Sequence, residues 1–204
     1  MLRIVDNFYK DPEAIRDIAL NTRYELITMG NYSGHDSLNK SIYFPEMMEK
    51  LKELFPGGHY AVVASRFRST IQGDTHLTFI HCDCDVPNSG WHVLVYLKKE
   101  PTEDGLLIYE HETKGRTATM DAENILLLRE TEDYTKFKVI ETVPYKYNRA
   151  VIVDYSQWHS PMIHDGFGDC IEDSRLMHII EVCDTRTEWY PRRLADPGYT
   201  ETLM

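Results

Sequence analysis

The chain has 204 residues, enough to bury a substantial core without disulfide staples, and it is most simply one domain. Its formal net charge of -11 argues against a phosphate backbone as a partner, because nonspecific nucleic-acid binding needs a basic surface. No apolar run approaches the roughly 20 residues of a membrane span, and the opening Met1-Leu2-Arg3-Ile4-Val5-Asp6 lacks a signal peptide's apolar region, so a cytoplasmic protein without a membrane partner is expected.

Helical signals come first. Asp11-Pro12-Glu13 places an N-cap and a first-turn proline ahead of an apolar stripe, Ile15, Ile18 and Ala19. A second helix starts near Pro45, presents Met47, Leu51 and Leu54, and stops at Pro56-Gly57-Gly58. Between them Thr28 to Lys40 is polar and carries Gly30, Asn31 and Gly34, which reads as a loop suited to a lid or a substrate contact.

From Tyr60 the pattern turns strand-rich, with candidates at 61–68, 76–82, 91–97, 106–111, 137–143, 150–154 and 176–182, and a short helix at 122–129 among them. Strands of similar length separated by turn signals such as Glu103-Asp104-Gly105 point to a double-sheet β architecture. Pro191 to Met204 is polar and reads as a docking tail. The expected organisation is a single domain over 1–204. Residues 1–59 form a helical support with the polar loop, 60–183 a jelly-roll core, and 184–204 the tail.

Chemistry concentrates at His81-Cys82-Asp83. On an extended backbone His81 and Asp83 point to the same side, so an imidazole nitrogen and a carboxylate oxygen converge. Cys82 and Cys84 share the opposite face and read as small buried residues on the core side. A further His would complete a 2-His-1-carboxylate metal site. The apolar run Arg149 to Asp154 leads through Tyr155-Ser156-Gln157-Trp158 to His159. Another strand then opens with Arg175-Leu176-Met177-His178. His164 is the alternative third ligand, being closer to Arg175; His159 is preferred because it directly follows a buried strand, where a rigid ligand belongs.

This order, His-x-Asp, then a distal His, then Arg at the head of the next strand, resembles the Fe(II)/2-oxoglutarate-dependent dioxygenases, most closely their prolyl-4-hydroxylase-like branch. The resemblance covers about residues 60–183. It includes Val93-Leu94-Val95-Tyr96-Leu97-Lys98, similar to the strand whose tyrosine reaches 2-oxoglutarate. It also includes Asp104-Gly105-Leu106-Leu107-Ile108, and Tyr147-Asn148-Arg149-Ala150-Val151-Ile152 feeding the distal His. The interval from His159 to Arg175 is longer than usual, with 165–173 in the place of an insertion.

The resemblance implies a mainly β, double-stranded β-helix (jelly-roll, cupin-like) fold with flanking helices. It implies Fe(II) on His81, Asp83 and His159, with 2-oxoglutarate and O2 as cosubstrates. Arg175 and Tyr96 would hold the distal carboxylate, Arg175 because its planar fork matches a carboxylate bidentately; Arg116 and Arg149 compete for that role. The implied reaction hydroxylates an unactivated C–H of a small-molecule, amino-acid or peptidyl substrate, with release of succinate and CO2. Asp83 occupies the position that related halogenases leave to a halide. Nucleic-acid demethylases of the superfamily carry a second Arg six residues after the clamp, where this chain has Glu181. Candidates to line the substrate pocket are Arg66, Arg68, Trp91, Trp158 and the loop near Tyr32, with a core or solvated role preferred for His92. A homodimer is compatible with the sequence. A non-catalytic cupin-like module binding Zn(II) or no metal is the competing reading.

Overall fold

The central strands set the architecture, because their apolar runs do not alternate as they would on a sheet with one wet face. Val93 to Tyr96, Ala150 to Asp154 and Met177 to Asp184 are buried throughout, the pattern of strands covered on both sides. The computed structural model describes residues 2–29, 32–74, 80–83, 88–118, 134–195 and 202–203. In chain order its strands are β1 (Arg3–Val5), β2 (Tyr24–Met29), β3 (Tyr32–Ser37), β4 (Tyr60–Ser69), β5 (Gly90–Tyr96), β6 (Gly105–His111), β7 (Phe137–Pro144), β8 (Ala150–Asp154), β9 (His159–Pro161), β10 (Met177–Asp184) and β11 (Thr202–Leu203). Its helices are α1 (Pro12–Leu20), α2 (Pro45–Leu54) and α3 (Trp189–Ala195).

The strands form two sheets of a jelly-roll core. The large one runs β1-β8-β5-β10-β4-β3-β2, with β11 also on β4; the small one runs β7-β6-β9. Neighbours in both pair antiparallel. One face of the large sheet packs on α1 and α2 through Val93, Val95, Leu97, Ile152 and Ile180, which meet Ile15, Ala19, Met47 and Leu51. The other face packs on the small sheet through Leu94, Tyr96, Val151, Val153, Met177 and Ile179, which meet Leu106, Ile108 and Val143. Burying each large aliphatic side chain contributes about 1.5–3 kcal/mol, so the two-sided cover is the main stabiliser of the fold. Asp11 caps α1 by accepting a hydrogen bond from the Ala14 amide at 3.1 Å, as its sequence indicates.

The structure corrects the sequence reading at several places. Within the expected loop Thr28–Met29 and Tyr32–Ser37 are strand: β2 and β3 pair antiparallel with Met29 opposite Tyr32, and β3 joins β4 through His35–Ser69 and Asp36–Arg68. The signal was Gly30-Asn31 between two strand-length runs, a hairpin dipeptide outweighed by the local polarity. The tail is partly regular, since α3 packs on Val63, Tyr155 and Cys183 and β11 pairs with Ala61 and Val62. Of the strand expected over 76–82, residues 76–79 lie outside the described residues, as does the helix expected over 122–129.

On the helix-covered face His178 is fully buried. Ser65 Oγ donates to the Ile42 carbonyl at 2.5 Å, so it accepts from His178 Nε2–H at 2.8 Å. That leaves Nδ1 to accept from the Tyr9 hydroxyl at 2.6 Å. A neutral ring satisfies both partners. Burial, reinforced by Arg66, pushes its pKa down to about 3. An unfolded histidine takes up its proton near pH 6.5. Between those values the unfolded chain holds a proton the native chain lacks, and stability falls as pH is lowered through that window. Urea unfolding at pH 7, 6 and 5 should show this loss, with His178 contributing up to about 1.4 kcal/mol per pH unit. His178→Gln, which keeps a donor and an acceptor but cannot titrate, should flatten the slope.

Candidate metal centre

Two distant stretches are tied together by their backbones. The His81 amide donates to the His159 carbonyl at 3.0 Å and the His159 amide to the His81 carbonyl at 2.9 Å, forming an antiparallel bridge at the edge of the small sheet. Its partner β9 is fixed by pairing Ile108 with His159 and Leu106 with Pro161. The bridge sets the two imidazoles 4.4 Å apart between centroids. Two residues on from His81, the Asp83 amide donates to the Tyr155 carbonyl at 2.6 Å, which brings the carboxylate to the same place.

The ligand atoms of His81, Asp83 and His159 all lie within 4.8 Å of one another, so the three could hold a metal ion. His81 Nε2 is 3.6 Å from Asp83 Oδ1, and His159 Nε2 is 3.3 Å from Asp83 Oδ2. His159 Nδ1–H donates to the Gln157 carbonyl at 2.9 Å, leaving an Nε2 lone pair aimed at the cluster. Burial, aided by His81, pushes the His159 pKa down to about 4, against the opposing pull of Asp83, so the ring is neutral at physiological pH. Burial opposes the charge on Asp83, but His92, His159 and His81 together hold it well below the usual carboxylate range. Asp83 Oδ2 is nonetheless buried without an aligned hydrogen bond. A carboxylate held deprotonated, with the free Nε2 of His159 and the His81 ring beside it, offers the donor set a divalent metal requires.

Arg175 precedes β10 and is 7% exposed. Its Nε donates to Asp104 Oδ2 at 2.5 Å and its Nη2 to the Gly105 carbonyl at 3.2 Å, while Nη1 makes no hydrogen bond to a described residue. Burial opposes its charge, but Asp104 and Tyr96 outweigh that and its pKa is raised. Tyr96 lies beside the guanidinium, stacked on Tyr145 at 4.2 Å, with a buried hydroxyl that has no aligned partner. Burial raises the Tyr96 pKa to about 12, so it stays a neutral donor. A fixed guanidinium and an unsatisfied phenol together suit an incoming carboxylate. Gly105 makes room for this corner: a Cβ there would overlap the Val143 carbonyl oxygen and approach Met162 Sδ to 2.9 Å.

The structure brings His159, and not His164, to His81 and Asp83; the His164 ring lies 6.4 Å from that of Tyr134. Arg175 and Tyr96 come together as expected, whereas Arg149 pairs with Asp6 and Arg116 with Glu110. Trp91 points to the helix-covered face and packs on Phe55 and Tyr60, because it has the same parity as Val93 and Val95 on β5. Trp158, also expected at the pocket, is buried in a cluster with Ile80, Cys82 and Tyr109. Cys82 is on the core side as expected, while Cys84 and the Tyr32 side chain fall outside the described residues.

Arg66 and Arg68 do face the interior, but each is paired. Arg66 donates to Asp36 at 3.1 Å and to Glu181 at 2.6 Å, and Arg68 holds Asp36 through two bonds at 2.5 and 2.8 Å. Asp36, Asp104 and Glu181 were not foreseen as charge partners, since an acid's burial has no signature in one sequence. His92, expected in core or solvent, stands 3.3 Å from Asp83.

The jelly-roll core thus carries a cluster of two histidines and one carboxylate and, at the head of β10, a buried arginine. Over residues 1–175 the chain matches the model of the Family of unknown function (DUF6445), and it belongs to that family. Comparison with curated proteins gave no match. Among solved structures it is similar to the non-heme alpha ketoglutarate dependent carbocyclase SnoK from nogalamycin biosynthesis, with TM-score 0.61, 13% identity, and coverage of 98% of this chain and 89% of the other. It is similar to HygX from Streptomyces hygroscopicus with nickel and 2-oxoglutarate bound, with TM-score 0.59, 8% identity and coverage of 98% and 91%. A third is an oxidoreductase of the 2OG-Fe(II) oxygenase family from Burkholderia pseudomallei, with TM-score 0.56, 8% identity and coverage of 90% and 85%. At these identities the similarity establishes the fold. No described helix is long and apolar enough to cross a membrane.

Among the described residues Asp104 is the one carboxylate paired with Arg175, and it also accepts from the Ile163 amide at 3.0 Å. Removing one member of a buried pair strands the other. Asp104→Ala should therefore destabilise the fold by about 3–5 kcal/mol, read as a lowered urea midpoint with an unchanged slope.

Proposed function

We propose that this protein is an Fe(II)- and 2-oxoglutarate-dependent oxygenase that hydroxylates an unactivated C–H of a small-molecule, amino-acid or peptidyl substrate. The observation that carries the reading is the convergence of His81, Asp83 and His159 within 4.8 Å, on the fold that HygX and SnoK share. His81, Asp83 and His159 would hold the iron, and Arg175 with Tyr96 would hold the distal carboxylate of 2-oxoglutarate. Bound there, Fe(II) supplies the activation of O2 that converts 2-oxoglutarate to succinate and CO2 and delivers one oxygen atom to the substrate.

The chain's own residues account for binding and orientation. Gln157 fixes the His159 tautomer, so an unprotonated Nε2 is presented without a proton having to leave. Asp104 and Gly105 take two edges of the Arg175 fork and fix its plane, leaving the rest of the guanidinium to the cosubstrate. Tyr96 donates a neutral hydrogen bond beside it, and its burial keeps water from competing. Asp83 favours hydroxylation over halogenation by keeping a carboxylate where a halide would bind. Assignment to the prolyl-4-hydroxylase-like branch rests on the chain order of these residues. The reading takes the chain as one catalytic domain in the cytoplasm. Nucleic acid is disfavoured by the net charge and by Glu181, which is buried and committed to Arg66.

Protein purified without oxygen and given Fe(II) and 2-oxoglutarate should develop the weak visible charge-transfer band of that pair, and should form succinate when oxygen and substrate are added. Asp83→Ala should lose Fe(II)-dependent 2-oxoglutarate binding. Arg175→Met should weaken it by at least about 30-fold, the equivalent of about 2 kcal/mol for a buried charge-assisted contact. Intact binding in both variants would sink the site assignment, and a site filled by Zn(II) with no band would favour a non-catalytic module.

A further inference from the structure

His92 on β5 has no part in the proposed chemistry yet touches its centre. Its Nδ1 lies 3.3 Å from Asp83 Oδ2, the oxygen that accepts no aligned hydrogen bond. It does not join the set formed by His81, Asp83 and His159. Its ring meets Tyr155 edge-on at 4.7 Å and 70°, and its Nε2 faces Glu181 Oε1 at 3.8 Å, beyond a direct hydrogen bond. The sheet enforces this placement. His92 is registered against Glu181 on β10 and Val153 on β8. The β10–β4 pairing slips between Glu181 and Val182, a bulge of the kind that re-aims side chains beside functional sites.

Glu181 is fully buried, and Arg66 holds it at 2.6 Å. Its charge is therefore already answered, and Asp83 is the nearer carboxylate to the ring. This favours the tautomer with the proton on Nδ1, turned to Asp83. A carboxylate with one oxygen on a metal has the other free to accept, and an outer partner that holds that oxygen fixes the carboxylate's orientation. Contacts of this kind are often loose until the site is filled.

We infer that His92 is a positioning residue for Asp83: its Nδ1–H holds the carboxylate at Oδ2, and the ring is kept in place by Tyr155 and by Glu181 locked to Arg66. The inference rests on the metal-centre reading above.

The test uses Co(II) as the probe, titrated into the metal-free full chain and followed by visible ligand-field absorption, with thermal unfolding of the metal-free protein as the control for folding. His92→Phe keeps the aromatic contact with Tyr155 but cannot donate, and should weaken Co(II) binding about 10- to 100-fold. His92→Asn places an amide N–H where the imidazole Nδ1–H stood and should recover most of that loss with the original band shape. Unchanged affinity in His92→Phe overturns the inference. So does a His92→Asn that binds as poorly as Asp83→Ala, because His92 would then be a ligand. If the unmutated chain itself takes up no Co(II), it is the metal-centre reading that has failed.

Discussion

Two backbone hydrogen bonds between His81 and His159 are the constraint on which the candidate centre depends. Side chains converge on a metal only if their main chains have already been brought to a common distance, and here the small sheet does that through β9. The bridge also separates positions from identities. Any two residues at 81 and 159 would be adjacent; that both are histidines, with a carboxylate two places along, turns a structural contact into a donor set. Asp83 then follows from the alternation of an extended backbone, and the Tyr155 carbonyl that accepts its amide steadies it.

Around this centre three buried arginines are each paired with an acid. Arg175 is set against Asp104, and Arg66 and Arg68 against Asp36 and Glu181. Isolated buried charges are too costly to keep, whereas paired and hydrogen-bonded ones can be kept without a large net gain in stability. What the pairing supplies here is geometry: guanidinium planes are fixed before any ligand arrives, so less rotamer entropy is lost on binding.

Much of this was legible in the sequence, for identifiable reasons. β8 and β10 read clearly because strands buried on both faces have no competing pattern, and α1 read clearly because Asp11-Pro12 marks its start. The centre was legible because His81, Asp83, His159 and Arg175 appear in a meaningful order. What stayed hidden was tertiary. Nothing at Asp36 or Asp104 distinguishes an acid bound for the interior from one bound for solvent. The face taken by Trp91 was decided by the parity of β5, and that of Trp158 by its cluster with Ile80, Cys82 and Tyr109. The pairing of β2 with β3 is hidden because the polar composition of 28–40 outweighs a short turn signal.

That pairing gives the edge of the large sheet an uncommon kind of fastening. β3 is registered to β4 only through His35 and Asp36, a short seam for a strand pair. Yet Asp36 reaches inward and takes three hydrogen bonds from two arginines. Peeling β3 away would take Asp36 from both arginines. The border strand is thus anchored from within, by the electrostatics of the interior it closes.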